Sequence, residues 1–210
     1  MDLSYNRIKF FFAGGVLEVA NGRIPGRPHD EIVRRIASLA PERCLEICGG
    51  TGYGARLLAE ALPRAEIASL DLSPENVAFG KRALARSPRG NVDVVEGDAS
   101  ALAYADDHFD VVFSVLGVHE MPSEVRRRAL REARRVLRPG GHLVVADLDE
   151  HASWPRAFDV YLRVAEPRYA REVLGDGLRG LVTAAGFEIV AHRARMGSLL
   201  PFQTLEARKL

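Results

Sequence analysis

Three carboxylates, each at the end of an apolar run, are the residues best placed for chemistry: Glu46 in "LEICGG", Asp71 in "SLDLS" and Asp98 in "EGDAS". After the first comes Gly50-Thr51-Gly52-Tyr53-Gly54, three glycines in five residues, leading into the amphipathic "YGARLLAE". Glycines are needed where a backbone turns tightly and lets a ligand approach. Extended to Ala55, the same stretch can be laid on a dinucleotide fingerprint, which cradles a pyrophosphate. The acids argue for another ligand. A carboxylate just ahead of the turn attracts a cation and repels pyrophosphate. At the next strand end, Asp71 can accept both hydroxyl protons of a ribose. Asp98, one strand further, can accept from an adenine amino group. Singly, each is equally a solvated strand-end or helix-capping carboxylate. Together they describe a pocket for a cationic adenosine derivative that needs no phosphate.

A second group follows the fourth apolar run, in "LGVHEMP". His119 and Glu120 stand where a second reactant would approach, and an imidazole titrating near neutral pH is the preferred general base. The alternative is a loop histidine packed over the bound ligand. "DLDEH", Asp147 to His151, ends the fifth run with more acids. A metal clamp there would want a further acid after the fourth run, where only Glu120 is available, so no metal is expected.

The elements that must carry these residues alternate. "RCLEIC", "AEIASLDL", "NVDVVEGD", "FDVVFSVL" and "HLVVADLD" read as strands, and helices are predicted near Tyr53–Leu62, after Ser73-Pro74, and over Ser123–Leu137. Ser73 is a good N-cap with Pro74 at the first helical position. Such alternation predicts an α/β, Rossmann-like, doubly wound parallel sheet. "GFEIVAHRAR" and "PFQTLEARK", separated only by "MGSLL", are predicted to add an antiparallel hairpin, making seven strands. The expected organisation is one domain over 1–210: an N-terminal helical cap over 1–40, then a core over 41–210 with an insertion near 152–174. Consecutive Phe10, Phe11 and Phe12 cannot share one helical stripe, which suggests a cap over an apolar reactant or a membrane surface. In the helix after the fourth strand, Val125, Ala129, Ala133, Val136 and Leu137 form the apolar stripe, and most of Arg126, Arg127, Arg128, Arg131, Arg134, Arg135 and Arg138 are expected to face solvent.

A formal net charge of +1 over 210 residues, with 47% hydrophobic residues, demands neither nucleic acid nor an anionic membrane as partner. The lysines are Lys9, Lys81 and Lys209 alone, and this arginine bias with many alanines suggests a bacterial, GC-rich coding sequence. Cys44 and Cys48 would lie about 13 Å apart on one strand, beyond disulfide reach. With no signal peptide visible, a cytoplasmic location is expected.

The combined pattern resembles the class I S-adenosylmethionine-dependent methyltransferases over about Ile36 to Lys209. Their first motif, acid-x-Gly-x-Gly-x-Gly, appears as Glu46-Ile47-Cys48-Gly49-Gly50-Thr51-Gly52, with Cys48 in place of the usual first glycine. "FDVVFSVLGVHEM", "REARRVLRPGGHLVVADLD", "GFEIV" and "LEARK" resemble the quinone-biosynthesis, UbiE-type members. The resemblance implies that S-adenosylmethionine is the cofactor and S-adenosylhomocysteine the product. It assigns Glu46, Cys48, Gly49, Gly50, Thr51 and Gly52 to the methionine part and Asp71 to the ribose. Leu72 would lie against adenine, Asp98 and Ala99 at its edge, and Leu116 near the sulfonium. Tyr5 resembles an N-terminal tyrosine that folds over the cofactor. The acceptor implied is a small molecule, lipid-like or quinone-like. The alternatives are an NAD(P)-dependent oxidoreductase and a non-catalytic S-adenosylmethionine-binding protein.

Overall fold

The computed structural model describes residues 28–88, 90–150, 160, 168–196 and 201–210. Five strands alternate with helices: β1 (Arg43–Ile47), β2 (Glu66–Asp71), β3 (Val92–Glu96), β4 (Phe109–Val115) and β5 (Leu137–Leu148). The helices are α1 (Pro28–Leu39), α2 (Tyr53–Ala61), α3 (Pro74–Arg86), α4 (Ser123–Val136) and α5 (Gly177–Ala184). Strands β6 (Phe187–Met196) and β7 (Pro201–Lys209) follow, and 3-10 turns form at Val118–Glu120 and Arg168–Val173.

The seven-stranded sheet has the order β3-β2-β1-β4-β5-β7-β6. The first five strands are parallel and β7 runs antiparallel to both β5 and β6, the hairpin the sequence predicts. Alternation along β1 separates two cores. Cys44 joins Ile32 and Ile36 of α1 and Leu58 of α2, while Leu45 and Ile47 join Leu130 of α4 and Leu178 of α5 on the other face. The strand order reverses between β1 and β4, and crevices at such a switch point, beyond the strands' carboxyl ends, are where open α/β sheets bind ligands.

Two local readings differ from the sequence expectation. The fifth strand, predicted from His142, begins instead at Leu137, opposite Phe109, and its register shifts before His142 meets Val111. Arg126 does not face solvent; it is fully buried. Arg127, Arg128, Arg131 and Arg138 are exposed as expected. Tyr5, Phe10, Phe11, Phe12 and His151 lie outside the described residues, as does most of 152–174. Among the described residues no helix is long and apolar enough to cross a membrane.

Candidate active site

The glycine turn is braced from below. Gly52 is the N-cap of α2 at φ +69°, and it has no side chain with which to cap. Glu46, on β1, supplies the missing acceptor: its Oε2 accepts from Ala55 N (3.1 Å) and from Ser69 Oγ (2.6 Å). A carboxylate at a helix N-terminus also meets the positive end of the helix dipole. Glu46 is 2% exposed, and burial pushes its pKa up to about 7 against the opposing pull of Ser69 and Ala55 N–H. A side chain at Gly54 would collide with Glu46 Oε1, and one at Gly49 with Ser69 Oγ. These glycines therefore admit the carboxylate, while Gly50, at φ +57°, has open space on its side-chain face. Glu46 thus holds the turn from beneath.

Asp71 ties the second strand to the same turn. Its Oδ2 accepts from Gly50 N (2.7 Å), and its Oδ1 accepts from Ser73 N (2.9 Å) and Asn76 Nδ2 (3.3 Å). Burial raises its pKa despite these donors. Beside it the Leu72 side chain is 56% exposed, an apolar surface adjoining a carboxylate. Asp98 is exposed, with Oδ1 accepting from Ser100 N (2.8 Å), and Ala99 is buried behind it.

Cys48 and Leu116 end β1 and β4, the two strands that flank the switch point. Both have φ +54°, the left-handed region that costs a side-chain-bearing residue about 1–2 kcal/mol. Strain of this kind gathers at functional sites. Cys48 is accommodated because Gly117 faces it: a Cβ on Gly117 would lie 2.5 Å from Cys48 Cβ and 2.9 Å from Ser114 Oγ. The Cys48 thiol pKa is pushed up strongly by burial and then by the negative charges of Asp71, Asp147, Glu120 and Asp98. A raised thiol pKa argues against a nucleophilic role for Cys48. The same four charges make the crevice attractive to a cation.

His119 is held by Asp147. Its Nδ1 lies 2.5 Å from Asp147 Oδ1, and its backbone N donates to Asp147 Oδ2 at 3.1 Å. Asp147 is fully buried and also accepts from Leu148 N. Because a carboxylate only accepts, Nδ1 carries the proton in this bond. Glu120 Oε1 lies 3.7 Å from Nε2, where its charge favours an imidazolium once formed. Sequence reading placed His119 and Glu120 together but gave Asp147 no such role. Pairing residues 28 apart requires the β4–β5 register, which puts Val115 opposite Ala146.

Arg126 was also missed. It donates to the carbonyls of Val118 (2.9 Å), Met121 (2.9 Å), Tyr169 (3.0 Å) and His119 (3.3 Å), and to Glu172 Oε2 (3.2 Å). A signal was present. Arg126 lies three, four and seven residues before Ala129, Leu130 and Ala133, on the buried stripe of α4. Among the described residues no group of three His, Cys, Asp or Glu side chains is arranged to hold a metal ion.

Comparison with known proteins agrees with this geometry. Residues 44–141 match the family described as "Methyltransferase domain". A UbiE ubiquinone/menaquinone biosynthesis C-methyltransferase of Dinoroseobacter shibae is 32% identical over 76% of this chain and 66% of its own length. A phthiotriol/phenolphthiotriol dimycocerosates methyltransferase of Mycobacterium tuberculosis is 34% identical over 75% of this chain and 58% of its own. The chain thus spans less than two thirds of these relatives. A SAM-dependent methyltransferase structure from Methanosarcina mazei superposes with TM-score 0.68 at 22% identity, over 80% of this chain and 92% of that one. The fold and site define a class I methyltransferase domain. Within that class the chain is similar to UbiE-type and phthiotriol/phenolphthiotriol methyltransferases. The nicotinamide alternative is not favoured.

Proposed function

We infer that the protein transfers a methyl group from S-adenosylmethionine to a small, partly apolar acceptor that must lose a proton, such as a hydroxyl, a phenol or an acidic carbon. The observation that carries this reading is the placing of carboxylates at neighbouring strand ends, Asp71 accepting from Gly50 N in the glycine turn and Asp147 holding His119. That charge suits an ammonium and a sulfonium and opposes a pyrophosphate. The residues present fit the cofactor: Gly50 leaves its side-chain face open, Asp71 lies next to it, and exposed Leu72 offers an apolar face for adenine. Cys48, Gly49, Thr51, Gly52, Ala99 and Leu116 complete the assignment, and Tyr5 is proposed from the sequence alone.

When bound, S-adenosylmethionine supplies a methyl group already activated on sulfur. The chain's own tasks are to align the acceptor, exclude water and manage one proton. Asp147 holds the His119 ring with Nδ1–H engaged, so Nε2 takes the acceptor proton, and Glu120 balances the resulting charge. Because His119 is only 4% exposed, the acceptor must reach it from within the pocket. A lipid-like or quinone-like acceptor agrees with the names of the relatives, and the two free thiols fit a reducing cytoplasm. Incubation with methyl-tritiated S-adenosylmethionine and quinone or lipid extracts tests the reading. Labelled product supports it; tight cofactor binding with no product in any extract favours a binding protein instead.

A further inference from the structure

We propose that Arg126 is a positioning residue that couples the described end of the 152–174 insertion to the His119–Asp147 pair. The inference rests on the role proposed for His119 above. Arg126 sits in the first turn of α4, where the helix dipole disfavours a cation, and it is fully buried. Burial lowers its pKa, opposed by the charges of Glu172 and Asp147. Nothing in the stability of α4 calls for such a group, since an apolar residue would fill the stripe. The guanidinium is occupied instead by two separate turns.

From one side it holds the Val118, His119 and Met121 carbonyls, which fixes the backbone of the turn that carries His119. From the other side it holds the Tyr169 carbonyl and the Glu172 carboxylate in the turn Arg168–Val173. Glu172 doubles the link, because its Oε1 accepts from Ser123 Oγ at 2.5 Å at the start of α4. One planar fork therefore sets the distance between the turn that bears the base and the turn that ends the insertion. Because five acceptors are reached from three nitrogens held in one plane, lysine cannot reproduce it. Displacing the 168–173 turn removes two of the acceptors that orient the Arg126 fork and loosens its hold on the His119 carbonyl, so the position of that turn is transmitted to the imidazole.

The test uses the full chain with its histidines labelled with 15N. In the wild type the His119 Nδ1 proton should give a strongly deshielded resonance, exchanging slowly with water. In Arg126→Gln that proton should exchange about tenfold faster or more, and the ring should populate both tautomers. Arg126→Lys should recover part of the protection. Glu172→Gln changes a side chain that is 42% exposed, so it keeps the test readable if Arg126→Gln does not fold. It should shift the same resonance, with S-adenosylhomocysteine affinity changed less than about twofold. An unchanged resonance and unchanged exchange in folded Glu172→Gln and Arg126→Gln would overturn the proposal. Failure of the wild type to bind S-adenosylhomocysteine would instead sink the methyltransferase reading and leave the resonance measurement meaningful.

Discussion

His119 Nδ1 and Asp147 Oδ1 lie 2.5 Å apart, joining the end of β4 to the end of β5 inside the protein. The pair is to be read as one unit, because the carboxylate fixes both the tautomer and the orientation of the ring. Replacing His119 by Gln or Asp147 by Asn should lower kcat by about 10²- to 10⁴-fold, the usual yield of general-base catalysis. The double variant should be little worse than either single one. In His119→Gln, S-adenosylhomocysteine affinity, measured calorimetrically, should stay within about threefold of wild type.

Gly117 is required by Cys48. Gly117→Ala places a methyl group against Cys48 Cβ and Ser114 Oγ, and should cost about 1–3 kcal/mol in urea unfolding. Cys48→Gly removes both the clash partner and the left-handed strain at φ +54°. In the Gly117→Ala background it should recover part of the loss. A double-mutant cycle with coupling above about 0.5 kcal/mol would establish the contact.

Burial of Glu46 makes stability depend on pH. Its folded pKa, about 7, lies above the ordinary carboxyl value, so the folded state binds the extra proton. Stability from this group is greatest at low pH and falls as pH rises from about 4.5 to 7. Glu46→Gln should abolish that part of the slope in denaturant titrations run across this range. Its retention would show that another group is responsible.

Glu206 has the opposite sign. Burial alone would raise its pKa, but bonds from Arg35 at 2.5 Å and His142 at 2.8 Å hold it below the usual carboxylate value. Its contribution is present above the unfolded carboxyl pKa and is lost as pH falls through the folded one. Glu206→Gln should cost about 1–3 kcal/mol at neutral pH, with the difference from wild type shrinking below about pH 4. Because Arg35 docks α1 on β7, proteolysis near α1 should accelerate in the variant.

The sheet was legible because its determinants are local. Ser73 with Pro74 starts α3 as expected, with Asn76 N donating to Ser73 Oγ, and the short gap before Pro201 forces the antiparallel return of β7. Asp71 and Asp98 were legible as strand-end acids for the same reason. Asp147 was visible as an acid, but its partner is set by strand register. Arg126 was hidden by its own charge, since it occupies an apolar stripe position that only contacts from two distant turns make tolerable. Glu46 was recognised, but its direction was not: a glycine N-cap lacking a side chain draws the carboxylate under the turn.

The central claim is that the crevice between β1 and β4 holds the adenosine and amino-acid parts of an S-adenosyl cofactor rather than a dinucleotide. Calorimetric titration of the wild type and Asp71→Asn with S-adenosylhomocysteine, and separately with NADH, tests it most directly. The account predicts micromolar binding of S-adenosylhomocysteine, weakened about tenfold or more by Asp71→Asn, and no heat from NADH. Tight NADH binding, or S-adenosylhomocysteine binding indifferent to Asp71, would contradict it.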